Sequence, residues 1–235
     1  MTARPILFSA PMVRALLAGR KTQTRRIVRG LEECPHGYDQ VKRIVQQEDY
    51  FLFSLAGGDH RVRSPYGMTG DQLWVRETCR AKELSDEEAI SPRYIHHGAP
   101  FEKPPYGLDG VEYLADGEFR PIHNSREASD RWMTLNDYGG RRGRAVPGIH
   151  MPRWACRLTL DVTGVRVERL QAISQRDAKA EGCAPLTIAD GGFVPTTGSD
   201  YIGAYRHLWD EINAARAPWR SNPWVWVVAF KVARP

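Results

Sequence analysis

The chain has 235 residues, 42% of them hydrophobic and 26% charged, with a net charge of +5. These proportions are typical of a globular protein, and the length allows one large or two small domains, each able to bury a core. No apolar run of about 18 residues is present, so we expect no membrane span, and the N-terminal residues lack the pattern of a signal peptide. The four cysteines are widely spaced and form no C-x-x-C pair, which favours reduced thiols and a cytoplasmic protein.

Positive charge is concentrated in two segments. The first contains Arg20, Lys21, Arg25, Arg26 and Arg29, and the second contains Arg141, Arg142, Arg144 and Arg153. Clustered cations beside aromatic side chains are typical of phosphate contact and base stacking, and Trp132 and Trp154 each follow an arginine. These segments favour an anionic partner such as a nucleic acid. The alternative is that the charge only keeps the surface soluble.

Short elements are predicted along the first part of the chain. Pro11 suits the first turn of a helix that carries Ala15 and Leu16 on its apolar face, and Gly19 suits the position just beyond the helix end. Strands are predicted over residues 6–9, 22–28 and 73–75, with a hairpin over 41–55 and a turn at 69–71.

Residues 80–148 show poor periodicity and many Pro, Gly, Asp and His residues, and they predict a loop-rich insertion with short strands that could carry specificity. Alternating apolar residues over 158–167 then predict a long strand or a bent pair of strands. Ser174, with Asp177 three residues on, suits the start of a short helix that ends at Gly182. The closing elements are an amphipathic helix over 201–212 and an apolar strand over 224–232.

The order of these elements favours an α+β fold that is mainly β. Strands open and close the chain, and short helices connect strands that are not adjacent, which suits a small closed barrel with helices at its ends. No internal repeat and no clear linker is present. We therefore predict a single domain over residues 1–235 with an insertion at about 80–148.

Motifs of several common enzyme classes are absent. The chain has no G-x-x-x-x-G-K-[ST], G-x-G-x-x-G, H-E-x-x-H or G-x-S-x-G, which argues against a phosphate-cradling NTPase and a dinucleotide oxidoreductase. Cys34 and His36, or His96 and His97, could contribute metal ligands, but no second spaced pair accompanies them. We predict no metal site and no cofactor.

The segment Leu17–Arg26 carries the strongest local indication of chemistry. Lys21 is followed three residues later by Thr24, a plausible base and nucleophile. An extended chain after Gly19 would place Thr22, Thr24 and Arg26 on one face, and Lys21, Gln23 and Arg25 on the other. A bend near Gly19 could then bring Lys21 round to Thr24. The alternative is a solvated basic strand edge.

Five segments spread from end to end of the chain carry a family resemblance. They are Ile6–Met12, Gly19–Arg26, Gly70–Glu77, Ile149–Trp154 and Asn222–Trp226. On these segments the chain resembles the ASCH superfamily, small barrels related to the PUA RNA-binding fold, and is most similar to a larger branch associated with phages and prophages. The resemblance implies a PUA-like barrel, and it covers the predicted insertion poorly.

The first helix end also resembles that of compact bacterial ASCH proteins that hydrolyse N4-acetylcytidine. Their Leu-Ala-Gly-Arg-Lys-Thr-x-Thr-x-Arg pattern is matched by Leu17–Arg26, which puts Lys21 and Thr24 in the places of the catalytic lysine and threonine. Their Thr-Gly-Asp turn is matched at residues 69–71, and Glu181, at the end of a short helix, takes the place of their glutamate. Those enzymes are much shorter, so the insertion could cap, reshape or replace their pocket.

The resemblance implies an amidohydrolase acting on an N4-acylated cytidine-type nucleoside. Thr24 would attack the amide carbonyl, Lys21 would act as the base with a lowered pKa, and Glu181 would orient the lysine or carry a proton. Arg26 could hold the developing oxyanion. The residues predicted to bind substrate are Arg20, Thr22, Arg25, Arg26, Arg153 and Trp154.

Two other functions stay open on the sequence, because a fold does not settle a function. One is a non-catalytic RNA- or nucleotide-binding module, in which the cations grip phosphate and Trp132 or Trp154 stacks on a base. The other is a ribonuclease, with His150 as one candidate for proton transfer.

These interpretations predict two spatial arrangements. The side chains of Lys21, Thr24 and Glu181 should converge on one cleft, within reach of a hydrogen bond or of one bridging water. The cations that should border a single open groove are Arg25 and Arg26 with at least one of Arg141, Arg142 and Arg153.

Overall fold

The structure is a computed structural model, which describes residues 3–29, 41–55, 58–85, 108–123, 125–185 and 200–233. In this part of the chain strands predominate over helices, so the fold is a mixed α/β arrangement made mostly of strands. Four residues that the sequence singles out as possible metal ligands lie outside the described ranges: Cys34, His36, His96 and His97.

The described elements are short, apart from two long strands. The helices are α1 (Ala10–Leu17), α2 (Arg126–Asn136), α3 (Gln175–Ala180) and α4 (Tyr201–Asn213). The strands are β1 (Ala3–Leu7), β2 (Gln23–Ile27), β3 (Arg43–Gln46), β4 (Phe51–Leu55), β5 (Gly58–Val62), β6 (Gln72–Arg76), β7 (Cys79–Leu84), β8 (Leu108–Tyr113), β9 (Phe119–Pro121), β10 (Thr159–Arg169) and β11 (Trp224–Val232). No described helix combines the length and the apolar character that crossing a membrane requires.

The strands form three sheets, with the orders β1-β6-β10-β11-β2, β3-β4-β5 and β7-β8-β9. In the five-stranded sheet, β10 and β11 pair antiparallel along almost their whole lengths, and β11 pairs antiparallel with β2. Among the described strands no ladder joins β1 to β2. Closure of this sheet into a barrel therefore remains a prediction.

The chain forms two compact units. The first unit contains Met1–Ile6, Ala15–Trp74 and Leu158–Pro235, and the second unit contains Leu7–Arg14 and Val75–Arg157. The predicted insertion at about 80–148 falls within the second unit.

In the first unit, β11 presents a different environment on each face. On one face Val225 and Val227 join a buried cluster with residues of α3 and α4, including Tyr205. On the other face the ring of Trp226 meets that of Phe51 on β4, edge to face, at a centroid distance of 5.0 Å. Because β2 pairs with β11, the alternate side chains of β2 also lie either on the helix-covered face or on the opposite face.

In the second unit, a core forms between α2 and the β7-β8-β9 sheet. Trp132 and Leu135 are the buried residues of α2, and they pack with Cys79, Val111 and Tyr113. Trp132 is 6% exposed, and its Nε1 donates a hydrogen bond to the carbonyl of Gly110 at 2.8 Å. The suggestion that Trp132 stacks on a base is therefore wrong, because its ring is part of the core.

Most predicted elements are confirmed, with small shifts at their ends. The confirmed elements are α1, β2, the hairpin β3–β4, β6, β10, α3, α4 and β11. The first strand ends earlier than predicted, at Leu7, because the first turn of α1 already uses the carbonyl of Ser9 to accept the N–H of Val13. Helix α2 is missing from the prediction, although Ser125 caps its N-terminus, because only two of its residues are buried and its apolar stripe is narrow.

Candidate functional site

Lys21 is set in place by the end of α1. Gly19 adopts a φ of 66°, a conformation that glycine takes without strain. The N–H groups of Arg20 and Lys21 both donate to the carbonyl of Ala15, at 2.9 and 3.0 Å. The chain turns at this point, and Lys21 then forms an isolated antiparallel bridge with Glu181.

Glu181 is placed by the end of α3. Ser174 caps the start of this helix by accepting the N–H of Asp177 at 3.1 Å, as the sequence predicts, and Glu181 is the residue at its C-terminal cap. Gly182 leaves the helix with a φ of 87°. A Cβ atom at Gly182 would lie 3.0 Å from the Cβ of Lys21, so the close approach of these two segments requires glycine.

The side chains of Lys21 and Glu181 form a buried ion pair. The Lys21 Nζ donates to Oε2 of Glu181 at 2.8 Å and to the Glu181 backbone carbonyl at 2.9 Å. Lys21 is 1% exposed and Glu181 is 4% exposed. Burial lowers the pKa of Lys21 below its ordinary value, although the Glu181 carboxylate acts in the opposite direction. The neutral amine of Lys21 is therefore easier to form than that of an exposed lysine.

A second cation, Arg25, binds the other oxygen of Glu181. Its Nη1 donates to Oε1 of Glu181 at 3.2 Å and to the side-chain oxygen of Gln23 at 2.6 Å. Its Nη2 bonds to Glu168 at 2.5 Å and to Asp177 at 3.2 Å. Burial alone would lower the pKa of Arg25, but the neighbouring carboxylates outweigh burial and raise it. Arg25 is thus a buried ion-pair residue, whereas the sequence predicts a substrate contact.

These contacts define one buried ion-pair group, which we call the Lys21–Arg25 cluster: Lys21, Arg25, Glu168, Asp177 and Glu181. Arg166 joins it from the exposed edge, with hydrogen bonds of 3.0 Å to both Glu168 and Asp177. Burial would raise the pKa of Asp177, but Arg25 and Arg166 lower it below its usual range. Asp177 therefore stays ionised near neutral pH, in the same cluster as a lysine whose pKa is lowered by burial.

Two more titratable side chains border the cluster. Burial and the charge of Glu181 raise the pKa of Tyr205 well above its ordinary value and that of Cys183 to about 11. Both groups therefore keep their protons near neutral pH, and the thiol does not act as a nucleophile there. Of the three groups, Lys21 is the one whose pKa lies below its ordinary value.

Thr24 occupies the strand position between Gln23 and Arg25 and is 2% exposed. Because successive side chains of a strand alternate, Thr24 faces away from the side on which Gln23 and Arg25 contact Asp177 of α3. Within the described residues, the hydrogen bonds of the Lys21–Arg25 cluster do not include the Thr24 hydroxyl. The structure brings Lys21 and Glu181 together and leaves Thr24 outside the cluster.

The remaining predicted substrate-binding residues of the first unit lie around this region. Arg20 and Thr22 are exposed, and Arg20 donates to the carbonyl of Gly182 at 3.3 Å. Arg26 is half-buried and occupies the same strand face as Thr24. These three residues are placed where they could contact a ligand near Lys21, and that contact stays a prediction.

The basic residues of the second unit form a surface of their own. Arg153 is exposed, and Trp154 is half-buried against the core of this unit. The exposed arginines nearby in sequence are Arg141, Arg142 and Arg144. The rings of Tyr138 and His150 lie 5.6 Å apart between centroids, which joins the two ends of this segment. A groove shared with the arginines of the first unit stays a prediction.

Two carboxylates of the cluster have no functional place in the sequence prediction, which treats Asp177 only as part of a helix start and does not consider Glu168. An indication is nevertheless present in β10, where Arg166 and Glu168 alternate with Val165 and Val167 and therefore share the face opposite to these valines. Two charges at alternating positions of a long strand predict a buried or half-buried charged partner across that face.

A second buried ion-pair group surrounds Arg157 in the second unit. The guanidinium donates to both carboxylate oxygens of Glu77 at 2.8 Å, and to Asp116 at 2.9 Å and Glu118 at 2.6 Å. Its central carbon lies 4.2 Å from the ring centroid of Tyr113. The guanidinium is thus bound from several sides by carboxylates of its own unit, so we assign this group to the stability of the second unit rather than to chemistry.

Comparison of the chain with models of known protein families, with curated proteins and with solved structures gave no match. Across the described ranges, no group of three or more His, Cys, Asp or Glu side chains is arranged to hold a metal ion. The function is therefore inferred from the residues and contacts of the protein itself.

Proposed function

We propose that the protein is an ASCH-type amidohydrolase with a PUA-like barrel, which removes the acyl group of an N4-acylated cytidine-type nucleoside. The observation that supports this proposal is the buried pair of Lys21 and Glu181. A lysine with a lowered pKa, held by a carboxylate through a bond of 2.8 Å, is the arrangement that activates a hydroxyl or a water for attack on an amide.

In the proposed reaction, the neutral Lys21 amine takes the proton of the Thr24 hydroxyl as its oxygen bonds to the amide carbonyl carbon. The bond between that carbon and N4 of cytosine then breaks, N4 takes the proton from the Lys21 ammonium, and the acyl group remains on Thr24 as an ester. A water molecule, deprotonated by the same amine, then attacks the carbonyl carbon of the ester. The bond from that carbon to the Thr24 oxygen breaks, the oxygen takes the proton back from the Lys21 ammonium, and the carboxylic acid is released. Glu181 holds Lys21 throughout and stabilises its ammonium form.

The placement of Thr24 sets a requirement for this reaction. Thr24 lies on the opposite face of β2 from Arg25. The Lys21 amine therefore has to approach the Thr24 hydroxyl around the edge of the strand. β2 is the last strand in the order of its sheet, and Lys21 lies two residues before its first residue, which supports such an approach. Arg26 shares the face of Thr24 and is the residue best placed to stabilise a negative carbonyl oxygen.

Incubation of the protein with N4-acetylcytidine tests the proposal, with cytidine and acetate as the expected products in chromatography. Lys21→Ala and Thr24→Ala should each lower the rate by a factor on the order of 10³ or more, because base and nucleophile act as one unit. The double variant should then be scarcely slower than either single variant. Thr163→Ala is the matched control, since Thr163 is an exposed threonine of β10 with no part in the proposed site, and it should keep most of the activity.

Two other results would show which part of the proposed reaction is wrong. Full activity in Thr24→Ala together with none in Lys21→Ala would replace the threonine by a water nucleophile. A wild-type protein that leaves N4-acetylcytidine and a panel of related acylated nucleosides intact would overturn the amidohydrolase.

The second candidate function, a module that binds single-stranded RNA, is favoured by the surface of the second unit. Residues 138–154 contain no acidic side chain and carry four exposed arginines: Arg141, Arg142, Arg144 and Arg153. The Tyr138 and His150 rings lie within the same segment. Cations beside rings are suited to phosphate contact and base stacking.

Fluorescence anisotropy with a single-stranded RNA at several salt concentrations tests this binding. Combined reversal of Arg141, Arg142 and Arg153 to glutamate should weaken binding and reduce the salt slope by about one for each phosphate that the variant no longer binds. Arg131→Glu is the control, because Arg131 is also exposed in the second unit but pairs with Glu127 on α2. Equal affinity of the wild type and the triple variant would remove RNA contact from this surface.

A further inference from the structure

The carboxylate of Glu181 is divided between two cations. Lys21 binds Oε2 at 2.8 Å and Arg25 binds Oε1 at 3.2 Å. All three side chains are almost completely buried, so water cannot screen the charges. The proton affinity of Lys21 therefore depends on how strongly Arg25 holds the shared carboxylate.

Arg25 is itself held from the other side. Its Nη2 lies 2.5 Å from Glu168 and 3.2 Å from Asp177, and its Nε makes a further bond of 3.2 Å to Glu168. These two carboxylates come from β10 and α3, so the guanidinium is fixed between two elements. Arg25 is thus bound by Glu168, Asp177 and Glu181 at the same time.

We propose that Arg25 is a positioning residue of the Lys21 site, which acts through Glu181 and is adjusted by its anchors Glu168 and Asp177. The proposal rests on the proposed function only in taking Lys21 as the reactive base. Arg25 does not touch the substrate in this arrangement. It limits the negative charge that Glu181 offers to Lys21, and so keeps the amine available.

The contacts of Arg25 determine in which direction each substitution should shift the pKa of Lys21. Without the Arg25 charge, Glu181 has Lys21 as its remaining cation in the cluster, and the ammonium form of Lys21 is favoured. Without the charge of Asp177, Arg25 pairs with fewer carboxylates and interacts more strongly with Glu181. The ammonium form of Lys21 is then disfavoured. The other charged or titratable groups around the cluster are Arg26, Arg166, Cys183 and Tyr205, and these stay the same in both variants.

The experiment measures the titration of the Lys21 side chain by NMR in protein labelled at its lysines, with the signal assigned by its loss in Lys21→Gln. Arg25→Gln should move the midpoint of the Lys21 titration to higher pH, and Arg25→Lys, which keeps the charge, should move it less. Asp177→Asn should move it to lower pH. Arg63→Gln removes the same charge from an exposed pair with Asp49 in the first unit and should leave the midpoint unchanged.

Opposite shifts of the Lys21 midpoint in Arg25→Gln and Asp177→Asn support the proposal, because general loosening of the cluster would move both midpoints in one direction. An unchanged midpoint in both variants, or a shift of the same sign, overturns it. If Arg25→Gln does not fold, as seen by circular dichroism, the Asp177→Asn and Arg25→Lys titrations still decide the matter.

The titration needs no substrate, so it distinguishes this proposal from the proposed function. If the wild type shows no deacylation but the midpoints move as expected, the amidohydrolase is wrong and the role of Arg25 stands. If deacylation is observed, the acid limb of kcat/KM should move with the Lys21 midpoint, to higher pH in Arg25→Gln and to lower pH in Asp177→Asn.

Discussion

Gly182 is the residue at which the geometry of the site is most sensitive to a single methyl group. It has a φ of 87°, and a Cβ there would lie 2.9 Å from the Cβ of Ala15 and 3.0 Å from that of Lys21. Gly182→Ala should lower the free energy of unfolding by about 2–4 kcal/mol, from backbone strain and overpacking together. Urea unfolding measures this loss.

Gly19→Ala is the matched control for that substitution. Gly19 has a similar φ of 66°, but a Cβ there would meet no atom within 4 Å, so only the backbone strain of about 1–2 kcal/mol is expected. Equal losses in the two variants would mean that Ala15 and Lys21 move aside without cost, and that Gly182 does not fix the approach of α1 to α3.

At the scale of single residues, the sequence predicts which residues belong to the candidate site better than it predicts which side chains they contact. The positions of Lys21 and Glu181 follow from the resemblance, and the structure places them in one ion pair. Arg25 is different, because its anchors Asp177 and Glu168 are 152 and 143 residues away in sequence. Local spacing shows on which face a side chain lies, but it does not show which carboxylates cover that face.

At the scale of elements, capping and periodicity account for what the sequence predicts. The turn at Gly19, the Ser174 cap of α3 and the apolar alternation of β10 are local features, and each appears in the structure. β2 shows the limit of this approach, because Gln23, Thr24 and Arg25 are all buried, although a polar strand predicts an exposed edge. Gln23 and Arg25 are covered by α3 and α4, which are distant in sequence, and burial of the arginine is tolerated only because carboxylates pair with it.

At the scale of the whole molecule, each compact unit contains one arginine buried among three carboxylates. Arg25 has this position in the first unit and Arg157 in the second. The boundaries between the units follow residues 6, 14, 74 and 157, and no linker in the sequence marks them. The division follows from long-range packing, such as that of α2 on the sheet of β7, β8 and β9, which periodicity within short windows does not report.

Arg25 is assigned to the Lys21 site and Arg157 to the stability of the second unit. The loss of stability in acid tests the role assigned to Arg157. Burial would raise the pKa values of Asp116 and Glu118, but both lie below their ordinary range, because Arg157 donates to Asp116, and Arg120 and Arg157 both donate to Glu118. A carboxylate with a lowered pKa in the folded state stabilises it fully above its unfolded pKa of about 4, and this stabilisation disappears as the pH falls through the lowered value. The wild type should therefore lose stability in urea unfolding between about pH 5 and pH 2.

Arg157→Gln tests the origin of that loss. It should lower the free energy of unfolding at pH 7 by about 3–5 kcal/mol, because Glu77 is left buried without its guanidinium partner. The decline with acid should also become shallower, since Asp116 and Glu118 no longer have a buried cation to lose. Arg80→Gln, which removes an arginine from a half-exposed pair with Glu112, should cost less than about 1 kcal/mol and keep the wild-type pH dependence. An Arg157→Gln protein with the same acid profile as the wild type would show that other carboxylates govern the acid stability of this protein.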